Sequence, residues 1–193
     1  MSIDTAWIFD IDGVVTNPSE KKVSEPQILV HIANKLKAGE PVAFNTGRSS
    51  SWLIERVISP LLELIEDKNI LQNFIAVSEK GGCWVTFDKG GTMQEHKADS
   101  ISVPVGKGFA TERILELLKE KGIRPKQFIA FGDSPSDIEM AKKLHERNLT
   151  FTFIFVDDKG QLKGAEHPFP IVFTKNRFDK GTLEFLNTGK ENP

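Results

Sequence analysis

The sequence predicts an α/β fold of the doubly wound type, in which helices cover both faces of a mainly parallel sheet. Short, nearly continuous apolar runs recur along the chain, as is typical of strands buried on both faces. Segments with apolar residues at helical spacing separate most of these runs. Strands that alternate with helices pair in parallel, because each crossover returns the chain to the same edge of the sheet.

The elements are predicted in the following order. The strands are 3–10, 41–44, 74–77, 83–87, 92–96, 127–131, 150–156 and 170–173. The strands at 83–87 and 92–96 form a β-hairpin, because a turn of polar residues and glycine separates them. The helices are 24–38, 49–65, 109–121, 135–144 and 180–186.

Capping residues and prolines set the predicted helix ends. Ser24 offers a cap, Pro26 fits the first turn, and Gly39 ends the first helix. Pro60 interrupts the second helical stretch, so a kink or two consecutive helices is expected there. Ser134 is the predicted cap of the helix that follows the strand at 127–131.

Composition favours a soluble enzyme or binding domain over a nucleic-acid or membrane protein. The 193 residues are 39% hydrophobic and 27% charged, and the net charge of −2 provides no overall basic field for nucleic acid. No apolar run approaches the length of a membrane span, and acidic residues follow the start too soon for a signal peptide. The single cysteine, Cys83, fits a reducing compartment. We therefore expect a cytoplasmic protein.

Polar residues follow three of the predicted parallel strands. They are Asp10 with Asp12, Thr46 with Arg48, and Asp133 with Asp137. Because the carboxyl ends of parallel strands meet at one edge of a sheet, these side chains should lie close together. Four carboxylates there would repel one another, and a hard divalent cation with oxygen ligands, Mg²⁺, is the simplest relief.

Four motifs resemble those of the haloacid dehalogenase superfamily. They are Asp-Ile-Asp-Gly-Val-Val-Thr at 10–16, Asn-Thr-Gly-Arg at 45–48, Lys107-Gly108 before a helix, and Gly-Asp-Ser-Pro-Ser-Asp at 132–137. They occur in the family's order over about the first three quarters of the chain. The lysine-glycine pair and the stretch 78–83 resemble the Cof-like, sucrose-phosphatase-like branch. The resemblance implies a Rossmann-like core and a phosphatase.

The resemblance also implies catalytic roles. Asp10 would be the nucleophile that forms an aspartyl-phosphate, and Asp12 the general acid and base. Thr46 and the backbone of Gly47 would bind the transferring phosphoryl group, while Lys107 would neutralise charge on Asp10 and on the phosphate. An acid at position 12 is typical of the family's phosphatases and argues against dehalogenase activity.

A Mg²⁺ site is implied at the same edge. Asp10, Asp133 and the backbone carbonyl of Asp12 would bind the ion, and Asp137 would support its shell through water. Asp137 has a second reading as a favourable acid in the first turn of a helix. Ser136 stands where the family often has Asn, which we expect to tune the site rather than destroy it.

Three further residues have alternative interpretations of their role. Thr46 is also a suitable cap for the following helix. Arg48 is either a surface residue in a salt bridge or a group that contacts the phosphate or the rest of the substrate. Lys180-Gly181 repeats the lysine-glycine pair, but it follows the Asp133 motif, so Lys107 is preferred.

One core domain is predicted over residues 1–187, with a flexible tail at 188–193. Neither long interval has room for a full cap, so the hairpin is expected in its place and 80–106 is a candidate reduced cap or lid. A neighbouring subunit of a homo-oligomer could close the site instead.

The function that these residues imply is a Mg²⁺-dependent phosphomonoesterase for a small phosphorylated metabolite such as a sugar phosphate. One alternative is a phosphatase for a macromolecule, either a nucleic-acid end or a phosphoprotein. The second is a non-catalytic binding protein on the same fold.

Overall fold

The computed structural model describes residues 3–98, 105–157, 159–162 and 166–188. Its strands, in chain order β1 to β8, are Thr5–Phe9, Val42–Asn45, Phe74–Ser78, Cys83–Phe87, Met93–Lys97, Gln127–Gly132, Phe151–Phe155 and Ile171–Phe173. They form one eight-stranded sheet in the order β5-β4-β3-β2-β1-β6-β7-β8.

Strand β1 lies near the middle of this sheet. It pairs in parallel with β2 on one side and with β6 on the other, and Ile8 is opposite both Ala43 and Ala130. The pairs β2–β3, β6–β7 and β7–β8 are also parallel, whereas β3–β4 and β4–β5 are antiparallel. The carboxyl ends of β1, β2 and β6 therefore meet at one edge, where the polar residues follow them.

Helices cover both faces of the sheet, which confirms the predicted doubly wound fold. The α-helices are α1 Gln27–Lys37, α2 Ser50–Leu53, α3 Ser59–Glu63, α4 Lys107–Glu120, α5 Ile138–Glu146 and α6 Phe178–Thr188. Residues of α1, α2, α3 and α6 contribute to one apolar cluster, and those of α4 and α5 to the other. None of the helices in the described ranges is long and apolar enough to cross a membrane.

Two helix ends differ from the sequence prediction. No side chain caps α1, which begins after Pro26, and the Ser24 hydroxyl donates instead to Asp179 at the start of α6. The predicted cap at Ser24 is therefore wrong, because the distant buried carboxylate of Asp179 is the stronger acceptor. The break in the second helical stretch is a π-helical turn, Ile54–Ile58, and Pro60 lies in the first turn of α3, where its missing N–H costs little.

The hairpin of β4 and β5 extends the sheet. Cys83 is opposite Ser78 at the carboxyl end of β3, whereas Phe87 pairs with Met93 at the far end. The hairpin turn therefore lies at the opposite edge from Asp10 and cannot cover it. Strand β5 ends at Lys97, opposite Cys83, and residues 99–104 that follow lie outside the described ranges, as do residues 189–193 of the predicted tail. A lid role for 80–106 stays a prediction.

Candidate active site

Asp10 is held between the two central strands. It follows β1 directly and is only 6% exposed. Its N–H donates to the Phe131 carbonyl at 3.0 Å, and its Oδ1 accepts from the Ile11 N–H at 2.6 Å. The backbone of β1 and β6 thus fixes a carboxylate at the carboxyl edge of the sheet.

Gly13 permits the close approach of Asp133 to the turn after β1. A Cβ at position 13 would lie 1.9 Å from Asp133 Oδ2, and the backbone there has a φ of +75°. A side chain would therefore both strain the backbone and displace Asp133. This glycine allows the ends of β1 and β6 to bring their acidic residues together.

Asp137 is fully buried and organises the loop after β6. Its Oδ2 accepts from the backbone N–H groups of Asp133 at 3.2 Å and Ser134 at 3.0 Å, and from the Ser134 hydroxyl at 2.7 Å. The predicted cap at Ser134 is present as a capping box with Asp137. Asp137 thus closes the start of the helix and also lies beside the other carboxylates.

Lys107, the first residue of α4, inserts its ammonium among these acids. Its Nζ contacts Asp10 Oδ1, lies 3.0 Å from Asp137 Oδ1, and donates to the Asn45 carbonyl at 2.7 Å. Its rival Lys180 lies exposed on α6. Of the two lysine-glycine pairs, the structure therefore brings Lys107-Gly108 to Asp10.

One lysine does not balance this group of acids. Burial raises the pKa of Asp10 to about 7, with the Asp137 charge adding to the rise and Lys107 opposing it. Burial and Asp137 also raise the pKa of Asp133 to about 7. Burial opposes the charged form of Lys107, but Asp10 and Asp137 outweigh it and raise the lysine pKa. The site carries excess negative charge, which a bound cation would relieve.

The acidic group fits a hard divalent cation. One oxygen from each of Asp10, Asp133 and Asp137 lies within 4.8 Å of the others. An all-oxygen donor set with few protein ligands is what Mg²⁺ binds. Asp137 Oδ2 is already occupied by the loop, which is compatible with its predicted role in supporting the shell.

The Asp12 carboxylate lies outside the group formed by Asp10, Asp133 and Asp137. Arg48 donates to it through Nε and Nη2, each at 2.8 Å, so both oxygens accept from one guanidinium. This pairing raises the pKa of Arg48. About a third of each side chain is exposed. Arg48 therefore forms a salt bridge, as one of its two predicted roles required. Its partner is Asp12, which the family resemblance implies as the general acid and base.

Thr46 and Gly47 form a tight turn after β2. The fully buried Thr46 hydroxyl accepts from the Arg48 N–H at 3.1 Å, so it does stabilise the turn before α2. The cap itself is Ser49, whose side chain accepts from the Trp52 N–H. The Lys80 side chain lies over Gly47, 3.5 Å from where a Cβ would be.

Sequence reasoning gave no role to two buried groups at this edge. Asn45 donates to the Lys107 carbonyl at 3.0 Å and to the Thr111 hydroxyl at 3.1 Å, and so ties β2 to α4. Asp157, just beyond β7, pairs with Arg177 at 2.7 Å. The sequence signal for Asp157 is its position just after β7, a fourth parallel strand that is followed by an acidic residue.

The raised pKa values predict how stability depends on pH in the metal-free protein. Asp10 and Asp133 ionise near pH 3.8 when unfolded and near pH 7 when folded, so the folded state holds more protons between these values. The free energy of unfolding should therefore fall as pH rises from about 4 to 7, by up to about 1.4 kcal/mol per pH unit for each group. Urea denaturation in chelator at several pH values measures this, and stability that rises over this window would contradict the burial of these acids.

Several solved structures share this fold. No family model and no curated protein sequence matches the chain. A trehalose-6-phosphate phosphatase of Aspergillus fumigatus is similar with a TM-score of 0.61 and 13% identity, over 97% of this chain and 94% of that one. Thermoplasma acidophilum 0175 is similar with a TM-score of 0.56 and 13% identity, over 98% and 99%.

An IMP-nucleotidase of Plasmodium falciparum is a third similar structure. Its TM-score is 0.54 at 13% identity, and the match covers 97% of this chain and 71% of the other. At such low identity, these likenesses show the fold. They confirm the predicted Rossmann-like α/β architecture.

Proposed function

We propose that this protein is a phosphatase of the haloacid dehalogenase superfamily that hydrolyses phosphomonoesters with Mg²⁺ through an aspartyl-phosphate. The observation that carries the proposal is the contact of Lys107 with a buried Asp10 beside Asp133 and Asp137. An anionic nucleophile has to meet an anionic phosphate here, and the lysine lowers that repulsion. The order of the four motifs supports the same reading.

The hydrogen bonds of Asp10 indicate which oxygen attacks. Ile11 N–H and Lys107 hold Oδ1, while Oδ2 accepts no hydrogen bond from any described residue. Oδ2 would attack phosphorus, the bond from phosphorus to the ester oxygen would break, and Asp12 would protonate the departing alcohol. Water activated by Asp12 would then release phosphate from Asp10.

Other residues would bind the phosphoryl group and the metal. The Thr46 hydroxyl, the Gly47 backbone and Lys107 would hold the phosphoryl oxygens, with Arg48 near the rest of the substrate. Asp10, Asp133 and the Asp12 carbonyl would bind Mg²⁺, and Asp137 would support it. When bound, the ion supplies positive charge to the phosphoryl oxygens.

The proposed substrate is a small phosphorylated metabolite. The similar structures named as a trehalose-6-phosphate phosphatase and an IMP-nucleotidase support this size of substrate. One observation favours the macromolecular alternative, namely that the hairpin turn lies at the opposite edge from Asp10. We also propose a cytoplasmic location and closure of the site by part of the 80–106 segment or by a neighbouring subunit.

A screen of phosphate esters tests the proposal. We expect the purified protein to hydrolyse p-nitrophenyl phosphate and at least one small metabolite ester with Mg²⁺, and to lose this activity in chelator. Phosphate release measures both. Activity on a phosphopeptide or a 5′-phosphorylated oligonucleotide far above that on small esters would favour the macromolecular alternative. If no ester is hydrolysed, and beryllofluoride with Mg²⁺ does not bind, the enzyme reading fails.

A further inference from the structure

Two basic residues, Arg48 and Lys80, lie beside the Thr46–Gly47 turn of the candidate site. We propose that these two side chains bind a second anionic group, a carboxylate or a phosphate, on the leaving alcohol of the substrate. The inference rests on the proposed hydrolysis and names the class of ester that it would act on. That class is a phosphomonoester with another anion close to the ester oxygen.

Arg48 presents a planar fork that is already engaged with an anion. Its Nε and Nη2 each lie 2.8 Å from one oxygen of Asp12, and its guanidinium lies 4.8 Å from the centre of the Trp52 ring. A guanidinium supported on an aromatic ring and paired through two N–H groups matches the geometry of a carboxylate or phosphate. Both Arg48 and Asp12 are partly exposed, so a substrate can reach the pair.

The pairing of Asp12 conflicts with its proposed role. To donate a proton to the leaving oxygen, Asp12 needs an oxygen that is not accepting from Arg48. A substrate anion that replaces Asp12 on the guanidinium would free the carboxylate at the right moment. The anion must then be only a few bonds from the ester oxygen, because Arg48 and Asp12 are in contact and each must reach its own part of the leaving group.

Lys80 approaches the same place on a strained turn. Glu79 and Lys80 have φ values of +51° and +55°, a left-handed conformation that side chains rarely adopt. Hydrogen bonds hold the turn in place. The Glu79 N–H donates to Arg48 O at 2.9 Å, the Lys80 N–H to Thr46 O at 3.1 Å, and the Gly106 N–H to Lys80 O at 3.0 Å.

This turn places the Lys80 side chain beside Gly47. The Lys80 stem lies over Gly47, with Cε 3.5 Å from the position of a Cβ there, so the ammonium, which is bonded to Cε, lies near the proposed phosphoryl turn. Among the residues described, no carboxylate pairs with this ammonium. Strained non-glycine residues cluster at ligand sites, where the surrounding structure holds them. A lysine whose backbone is held beside the site, and whose ammonium pairs with no described carboxylate, suits an anionic ligand.

Three esters with matched skeletons test the inference. Ethyl phosphate has a neutral leaving group, 2-phosphoglycolate carries a carboxylate one carbon from the ester oxygen, and ethane-1,2-diol bisphosphate carries a second phosphate. We expect kcat/KM with Mg²⁺ to be about 10- to 100-fold higher for at least one anionic ester than for ethyl phosphate, as charged hydrogen bonds allow. The faster of the two anionic esters identifies the anion as carboxylate or phosphate.

Three variants and a control assign the effect. Arg48→Gln and Lys80→Gln should each reduce the ratio of kcat/KM for the preferred anionic ester to that for ethyl phosphate by about 10-fold. Arg48→Lys should lose part of the ratio, because it keeps the charge but not the fork. Arg56→Gln removes an exposed arginine that pairs with Glu55, and it should leave the ratio unchanged.

The possible outcomes distinguish failure of the second anion site from failure of the proposed phosphatase activity. If the wild-type protein hydrolyses none of the three esters or p-nitrophenyl phosphate, the proposed function itself fails. Equal kcat/KM for all three esters leaves the hydrolysis standing and overturns the second anion site, whatever the variants do. A ratio that changes in only one of the two glutamine variants overturns the paired site.

Discussion

Replacing Asp10 by Asn should reduce phosphate release from p-nitrophenyl phosphate by about 10³-fold or more, as expected when a covalent nucleophile is removed. The amide has nearly the shape of the carboxylate, so its oxygen can keep the contacts with Ile11 and Lys107 while an uncharged NH2 group replaces the attacking Oδ2. Initial rates at saturating Mg²⁺, for the variant and the wild type, measure the effect. A matched control is Asp4→Asn, which removes an exposed acid that pairs with Lys126 and should keep full activity.

The same variant separates chemistry from folding. Because the pKa of Asp10 is raised to about 7 by burial, its charged form opposes folding at pH 8, and a neutral amide does not. We expect the metal-free Asp10→Asn protein to melt above the wild type at pH 8. Near wild-type activity in this variant would exclude the aspartyl-phosphate, whereas lost activity together with a lower melting temperature would indicate misfolding.

Replacing Lys107 by Met should destabilise the metal-free protein at pH 8 by about 3–5 kcal/mol, the cost of removing one partner from a buried ion pair. The side chains of Lys107, Asp10 and Asp137 are 11%, 8% and 0% exposed, so water cannot replace the ammonium. Urea denaturation at pH 8 measures the loss. Saturating Mg²⁺ should restore part of it, because the cation supplies charge to the same carboxylates.

Lys180→Met is the control for that experiment. It removes the exposed lysine of the other lysine-glycine pair and should change the free energy of unfolding by less than about 0.5 kcal/mol. If the two variants lose the same stability, Lys107 does not compensate buried charge. If Lys107→Met is as stable as the wild type and still hydrolyses esters at the same rate, the lysine has no part in the site.

The sequence predicted most of the fold because the relevant signals are local. Apolar runs of strand length and helical spacing identify the elements, and parallel pairing then places Asp10, Thr46 and Asp133 at one edge. The π-helical turn at Ile54–Ile58 was not predicted, since the sequence there reads only as a helix interrupted by Pro60. The direction of the hairpin turn follows from strand pairing, which composition does not reveal.

The side-chain pairing of the site was harder to predict. Arg48 and Asp12 are 36 residues apart, and which acid an arginine meets depends on how two loops pack. The same holds for Ser24, which suits a helix cap locally but bonds to Asp179, 155 residues away. Local propensity identifies residues that can hydrogen-bond, whereas tertiary packing selects their partners.

The central position of β1 has a consequence for how this chain is made. Its partner β6 begins at Gln127. More than a hundred residues must therefore be synthesised after β1 before the backbone groups on that side of β1 can pair. A nascent chain that ends before β6 leaves apolar Trp7, Ile8 and Phe9 with open backbone groups on that side. Such long-range pairing slows folding and exposes an aggregation-prone strand edge. We therefore expect a ribosome-bound fragment that lacks β6 to aggregate more readily than the full chain unless the exposed strand is covered.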